Sequence, residues 1–193
     1  MDSNLEKDFS SEDLYNISKA SSDKVFMLRP WDAKAYDYAQ TIVAFLEQMF
    51  PGFSVYFIGS LALKLPGSND VDMNVYCGEC SSEDIATHAR KISEKYGGPL
   101  RVEPTIAQWV FEKDGVHVDI ILYNSVFEGA NAQVALHQKL LHSKQLQDEY
   151  KAMKERVNGR SERDYAREKI IFFRKVTEAM SQHISSVVPQ VRG

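Results

Sequence analysis

Residues 57–75 restrict the fold of this chain more than any other stretch. A run of β-branched and aromatic residues ends at Gly59-Ser60, and a Pro-Gly-Ser-Asn break then leads into a second apolar run. Short apolar runs that are bounded by glycine and proline predict strands. We therefore expect a first strand at about residues 54–58 and a second from Asp70 to Cys77.

Two carboxylates at the start of the second predicted strand indicate a site. Asp70 and Asp72 are separated by one residue, so on a strand their side chains point to the same face. Two like charges side by side are unfavourable unless a cation lies between them, and Mg²⁺ prefers carboxylate oxygens. Just upstream, a Gly59-Ser60 turn that opens a helix would offer backbone N–H groups and a hydroxyl to a phosphate.

The rest of the chain predicts a mixed α/β part that is followed only by helices. Helical periodicity precedes the first strand at residues 31–50 and returns between Ser82 and Tyr96. Alternating apolar residues predict three more strands, at residues 100–106, 108–111 and 116–123. Beyond Ala130 the pattern is helical throughout, over residues 130–144, 146–157 and 162–184.

A third carboxylate lies in the last predicted strand. Asp119 is the only acid between Val116 and Tyr123, and its neighbours on the same strand face are β-branched or aromatic. Two-metal phosphoryl chemistry needs acidic ligands that bridge metals about 3.5–4 Å apart. A third carboxylate can help to deprotonate an acceptor hydroxyl, or it can complete the metal site on the nucleophile side.

Together these motifs resemble the nucleotidyltransferase superfamily of the DNA polymerase β type. The matching pieces are Ile58 to Ser60, Asp70 to Val75 and His117 to Ile121. The resemblance implies that Asp70 and Asp72 bind two Mg²⁺ ions and that Asp119 completes the catalytic and metal site. It also implies that Gly59 and Ser60 hold the phosphates of an NTP substrate. The expected fold is α+β, a small mixed β-sheet of four or five strands with flanking helices and a C-terminal helical segment.

The C-terminal helices show a second resemblance, to the GrpB family, which is a branch of the same superfamily. Its basis is a spaced set of aromatic and lysine residues, namely Tyr150, Lys154, Tyr165, Lys169 and Phe172. The Asp-x-Asp pair departs from GrpB proteins, which commonly keep fewer acids at this position. Because the activity of GrpB-like proteins is poorly defined, a non-catalytic nucleotide-binding or partner-binding module remains the alternative to an enzyme.

Three further residues are candidates for nucleotide binding. In the superfamily, a helix after the sheet commonly supplies a lysine or a tyrosine to the triphosphate. Tyr165 and Lys169 are four residues apart, so they share one helix face. Lys64 lies in the loop between the two halves of the motif and is a comparable candidate. Solvated side chains remain the competing interpretation for both lysines.

Composition narrows the class of protein. At 193 residues with 44% hydrophobic and 26% charged residues, the chain is expected to form a globular domain, with or without an extension. No apolar run approaches the roughly 18 residues of a membrane span. The polar, acidic N-terminus is not typical of a secretory or transit peptide, so we expect a cytoplasmic protein. Cys77 and Cys80 are the only cysteines, and a zinc site would need two further ligands.

Charge is distributed unevenly along the chain. The net charge is −4 over residues 1–23, −5 over residues 24–138 and +5 over residues 139–193. An acidic half facing a basic half suits a metal on one wall and phosphates on the other, although solvated helices explain the same pattern. The overall acidity argues against broad DNA binding.

We therefore expect three segments and one activity. The segments are a flexible acidic N-terminal tail at 1–23 with a short helix near 12–17, a nucleotidyltransferase core at 24–128, and a C-terminal helical segment at 129–193 packed on the core. The activity is Mg²⁺-dependent transfer of an NMP group from an NTP to an acceptor hydroxyl or phosphate, with release of pyrophosphate. The acceptor stays open between a small molecule, an RNA end and a protein. A protein acceptor would make the chain an antitoxin-like minimal enzyme that modifies a partner.

Overall fold

The structure is a computed structural model that describes residues 9–187. Residues 1–8, which include the first part of the predicted tail, and residues 188–193 lie outside the described range. The described residues form two compact units. One is the sheet unit, residues 29–147, and the other is the helical unit, which joins the residues up to Leu28 to those from Asp148 onward.

The sheet unit contains five strands and most of the helices that were expected around them. Its elements in chain order are α2 (Ala33–Met49), β1 (Ser54–Ile58), α3 (Gly59–Ala62), β2 (Val71–Tyr76), α4 (Ser82–Tyr96), β3 (Arg101–Glu103), β4 (Ile106–Lys113), β5 (Val116–Tyr123) and α5 (Glu128–Leu141). The remaining described helices are α1 (Ser11–Lys19), α6 (Lys144–Val157) and α7 (Glu162–Val187).

The sheet is mixed, with the strand order β1-β2-β5-β4-β3. Strands β2 and β5 are parallel, and all the other neighbouring pairs are antiparallel. The β4–β5 hairpin turns at Asp114 and Gly115, whose φ angles are 53° and 78°. Positive φ at both central residues is characteristic of the type I′ turn, one of the two common two-residue hairpin turns. The α+β fold with a small mixed sheet, flanking helices and C-terminal helices is therefore confirmed.

The alternation of side chains on β2 and β5 separates the core from the site. On one face, Val71, Met73 and Val75 of β2 and Val118, Ile120 and Leu122 of β5 are almost completely buried in a cluster with residues of α2 and α4. Because side chains alternate along a strand, the other face receives Asp72 and Asn74 from β2 and Asp119 from β5. On that face, Nδ2 of Asn74 donates to the carbonyl oxygen of Ala130 in α5 at 3.4 Å.

One predicted strand boundary is wrong. We expected a strand over residues 100–106 and another over 108–111, but β3 ends at Glu103 and β4 begins at Ile106. The turn between them consists of Pro104 and Thr105. Proline has no N–H to donate to a strand ladder, so the chain reverses at Pro104. Ala107, which lay between the two predicted strands, is therefore part of β4.

The helical unit is held together by aromatic stacking and by pairing between distant segments. Tyr150 of α6 stacks on Phe172 of α7, with ring centroids 5.2 Å apart. Ser10 and Asp13 form a capping box at the start of α1, within the region where a short helix was expected. The side chain of Asp13 also pairs with Arg174 of α7. Among the described residues, no helix is both long enough and apolar enough to cross a bilayer.

Candidate active site

The register of the sheet brings two of the three predicted acids together. Asp72 is paired with Asp119 across the parallel β2–β5 ladder, on the sheet face opposite the core. Neighbouring strands lie about 4.8 Å apart, so the two side chains begin side by side. Asp70 immediately precedes β2, two residues before Asp72. This face therefore presents two adjacent carboxylates with a third next to them in sequence.

Gly59 lies directly against the carboxylate of Asp72. Its φ angle is +83°, in the region that favours glycine, and a Cβ atom added there would overlap Oδ2 of Asp72. Gly59 and Ser60 begin the short helix α3, which follows β1 directly. The structure thus brings the predicted Gly-Ser pair to one of the predicted acids. The close approach explains why a residue without a side chain stands at this position.

The loop between α3 and β2 is tied to the segment that precedes α2. Arg29 and Gly67 exchange two backbone hydrogen bonds, of 2.8 and 3.0 Å. Nδ2 of Asn69 donates to the carbonyl oxygen of Pro30 at 2.9 Å, and Asn69 itself has a φ angle of 66°. These contacts fix the residue that immediately precedes Asp70. The start of β2, and with it the first acid, is therefore held from outside the sheet.

Lys64 in the same loop lies against aromatic rings. Its Nζ is 5.1 Å from the ring centre of Tyr36 and 5.7 Å from that of Trp31. Lys64 is exposed, and its backbone φ angle of 55° belongs to the left-handed region. An ammonium over aromatic faces is held by a cation–π interaction. The role of Lys64 in nucleotide binding stays a prediction.

Asp70 and Asp119 each accept hydrogen bonds from a neutral side chain. Oγ of Ser68 donates to Oδ2 of Asp70 at 2.6 Å. Nε2 of Gln108, on β4, is 2.9 Å from Oδ1 and 2.9 Å from Oδ2 of Asp119. Burial raises the pKa of the Asp119 carboxyl, whereas the hydrogen bonds from Gln108 act to lower that pKa. The negative charge of Asp70 adds to the increase in the Asp119 pKa.

Sequence reasoning did not find Gln108, although a signal for it exists. Gln108 is the one polar residue in the run from Ile106 to Phe111. The hairpin register pairs it with Ile121, which is two residues from Asp119 on the same strand face. An isolated polar residue on a face that carries a half-buried acid is a candidate donor to that acid.

The acids fit a divalent cation as a set of donors but are not gathered around one point. Carboxylate oxygens are the ligands that Mg²⁺ prefers, and Asp72 and Asp119 stand on adjacent strands. Over residues 9–187, however, no group of three acidic, histidine or cysteine side chains is close enough to hold a metal ion. The chemistry of these donors therefore suits a divalent cation, but the metal site implied by the resemblance is not assembled among the described residues.

The two cysteines form no part of this site. Cys77 and Cys80 are both free thiols, and Sγ of Cys80 donates to the carbonyl oxygen of Cys77 at 3.1 Å. Burial is the largest cause that raises the pKa of the Cys77 thiol, to about 12. A thiol with so high a pKa is protonated at neutral pH and is a poor nucleophile or metal ligand.

Tyr165 and Lys169 belong to the helical unit. One face of the Tyr165 ring is stacked on Phe26, with centroids 3.9 Å apart and an interplanar angle of 5°. Nζ of Lys169 is 6.0 Å from the Tyr165 ring centre and 5.6 Å from that of Phe173. Their assignment to the nucleotide remains a prediction.

Among the described lysines of the helical unit, Lys154 is the one whose side chain is completely buried. Its Nζ lies 4.0 Å from the ring centre of Tyr150, one turn earlier on α6. Sequence periodicity does not anticipate a buried lysine, since lysine is almost always exposed. Two residues of the GrpB-like set are thus in contact inside this unit.

The mixed sheet and its helices have the nucleotidyltransferase-type fold, and the fold is GrpB-like. GrpB from Enterococcus faecalis superposes with a TM-score of 0.53 at 12% identity, over 67% of this chain and 81% of GrpB. Cid1, an RNA terminal uridylyl transferase, gives a TM-score of 0.47 at 13% identity, over 78% of this chain and 44% of Cid1.

Polymerase beta from Leishmania infantum gives a TM-score of 0.35 at 16% identity, over 74% of this chain and 49% of that protein. No protein-family model and no curated protein matches the sequence. At these identities, the likeness to GrpB establishes the fold and not the activity.

Proposed function

We propose that the chain is a nucleotidyltransferase that moves an NMP group from an NTP to an acceptor hydroxyl or phosphate and releases pyrophosphate. The main support is the position of Asp72, which is paired with Asp119 and lies against Gly59. A pair of adjacent carboxylates beside the start of a helix suits a donor whose phosphates carry a metal ion. The nucleotidyltransferase fold is consistent with this chemistry.

In this proposal Asp70, Asp72 and Asp119 hold Mg²⁺, of which two ions are expected. When bound, Mg²⁺ would activate the attacking hydroxyl and neutralise charge on the triphosphate and the leaving pyrophosphate. Asp119 also accepts the proton of the acceptor hydroxyl.

The phosphates of the donor are assigned to residues around the acids. Gly59 and Ser60 lie at the first turn of α3, and Lys64 follows in the loop. Tyr165 and Lys169 of α7 are proposed to contact the triphosphate as well. The acceptor is a small molecule, an RNA end or a protein, and the reaction is proposed to take place in the cytoplasm.

The alternative is a GrpB-like module that binds a nucleotide or a partner without catalysis. One observation favours it, since the described residues contain no group of three acids that is gathered closely enough for a metal. Incubation of the purified chain with each labelled NTP and Mg²⁺ separates the two functions. Pyrophosphate release supports the enzyme, whereas NTP binding without pyrophosphate supports the module. Label on a co-purified protein would identify a protein acceptor.

The decisive variant is Asp72→Asn, which keeps the shape of the side chain and removes its charge. We expect pyrophosphate release to fall by at least about 100-fold, the scale for the loss of one group that stabilises charge in a transition state. Asp114→Asn is the matched control, because Asp114 lies at the exposed tip of the β4–β5 hairpin. Unchanged turnover in Asp72→Asn would overturn the proposed function.

A further inference from the structure

The amide of Gln108 approaches Asp119 from the side of the sheet opposite Asp72. In the strand order β5 stands between β2, which bears Asp72, and β4, which bears Gln108. Nε2 of Gln108 is 2.9 Å from each of the two Asp119 oxygens. Both oxygens therefore face the amide, and the carboxylate is turned toward β4. Strand β2, which carries the acid that is paired with Asp119 in the ladder, lies on the other side of β5.

A donor at equal distances from both oxygens lies in the plane that passes midway between them. A cation that is chelated by both oxygens of a carboxylate lies in the same plane. Gln108 thus fills with a neutral N–H group the position that a chelated cation would take. The carboxyl stands at the end of the Cβ–Cγ bond, whose direction is set by χ1, so this contact favours one of the staggered χ1 rotamers of Asp119.

The other acids of the site are also not gathered around one point. Ser68 holds Oδ2 of Asp70 at 2.6 Å, so a second carboxylate is also engaged by a neutral donor. Across the described part of the chain, no three potential ligands converge. The ladder nevertheless pairs Asp72 with Asp119, so the backbone places both residues on the same face of adjacent strands.

We propose that Gln108 is a latch that holds Asp119 turned toward β4, and that Asp119 joins the Asp70 and Asp72 pair only when a divalent cation draws it away from the amide. The latch rests on the proposed function in that it assigns the cation to these acids. Gln108 is a positioning residue in this scheme, because it acts on the reaction only through Asp119. Metal binding must therefore break the Gln108–Asp119 hydrogen bonds. The free energy that this costs lowers the affinity of the protein for the metal.

The latch predicts that removal of the amide tightens metal binding. In Gln108→Leu the donor is replaced by an apolar group of similar size, so no hydrogen bond to Asp119 has to be broken. We expect the dissociation constant for Mn²⁺, measured without nucleotide at pH 8 by the electron paramagnetic resonance signal of free Mn²⁺, to fall by about tenfold. A hydrogen bond to a charged group is worth at least that factor.

Three further variants test whether the change in Mn²⁺ affinity comes from the loss of the Gln108–Asp119 hydrogen bonds. Gln108→Met also lacks the donor and serves if the leucine variant does not fold. Gln40→Leu is the matched control, because Gln40 is exposed on α2, and its Mn²⁺ affinity should equal that of the wild type. In the double variant Gln108→Leu with Asp119→Asn, the gain should disappear, because the released carboxylate is no longer present.

The outcomes separate the latch from the proposed function. Equal or weaker Mn²⁺ binding in Gln108→Leu overturns the latch, whether or not the protein releases pyrophosphate. Tighter binding that the Asp119→Asn change abolishes supports it, even if no NTP is turned over. If turnover is found, the Mg²⁺ concentration for half-maximal rate should fall in Gln108→Leu while KM for the NTP stays the same. Absence of Mn²⁺ binding in every variant would overturn the latch, whereas the proposed function is decided by the pyrophosphate assay.

Discussion

At the scale of single residues, Gly59 combines a positive backbone φ angle with direct contact to the carboxylate of Asp72. Its positive φ angle strains any other residue, and a Cβ atom would overlap the Asp72 carboxylate. Gly59→Ala should therefore destabilise the fold by about 1–3 kcal/mol, the range for a residue held in an unfavourable backbone region. It should also displace Asp72 and lower pyrophosphate release by at least about tenfold, a loss worth about 1.4 kcal/mol in the barrier. Urea unfolding and the pyrophosphate assay measure the two effects.

A second glycine separates the two effects. Gly115 has a φ angle of +78° at the tip of the β4–β5 hairpin, and an added Cβ would meet nothing within 4 Å. Gly115→Ala should therefore show a comparable loss of stability while the folded protein keeps its turnover. If both variants lose turnover equally at a temperature where both are folded, contact with Asp72 is not the reason for the glycine.

The acids themselves could be predicted from the sequence, but their partners could not. Asp70, Asp72 and Asp119 stand out because a short motif and strand alternation mark them. Whether Asp119 receives a donor depends on which strand lies beside β5 and in which register. The Asp114-Gly115 turn determines that register, so the Gln108 contact follows only after the hairpin has been aligned residue by residue.

At the scale of elements, a segment from the start of the chain holds the turn between α6 and α7. The backbone N–H of Phe26 donates to Arg160 at 2.8 Å, and that of Gly159 donates to Phe26 at 2.9 Å. The Phe26 ring stacks on Tyr165 in the first turns of α7. Phe26→Ala should cost about 3 kcal/mol and increase amide hydrogen exchange over residues 158–165, because it removes a buried ring.

The neighbouring residue provides the control for this element. Met27 is 56% exposed, so Met27→Ala should leave both stability and amide exchange close to those of the wild type. Exchange at residues 158–165 that is no faster in Phe26→Ala than in Met27→Ala would mean that the turn is held by its own helices.

Elements with local signals were predictable, whereas contacts between distant segments were not. The capping box of Ser81 and Asp84 marks the start of α4 in the sequence itself. In contrast, Val25 and Ser161 form an isolated bridge between segments far apart in the chain. A single bridge produces no periodicity, so nothing in the sequence near residue 25 distinguishes this segment from a linker.

At the scale of the whole molecule, His137 links the stability of the fold to pH. It is 8% exposed on α5, and its Nδ1 has no hydrogen-bond partner among the residues that the structure describes. Burial lowers the pKa of His137 from 6.5 to about 4. Between these values the unfolded chain carries a proton that the folded chain does not. The contribution of His137 to stability is therefore complete above pH 6.5 and is lost as the pH falls to about 4.

Replacement of this histidine should make the fold more resistant to acid. His137→Leu removes the titrating group and a buried nitrogen without a partner, so we expect stability at pH 7 to be equal or higher. Between pH 7 and pH 4 the variant should lose less stability than the wild type, by up to about 3 kcal/mol. Urea unfolding across this range measures the difference, and His142→Leu, at an exposed position after α5, should follow the wild type. Parallel curves for wild type and His137→Leu would mean that the folded protein binds a proton at His137 as readily as the unfolded chain does.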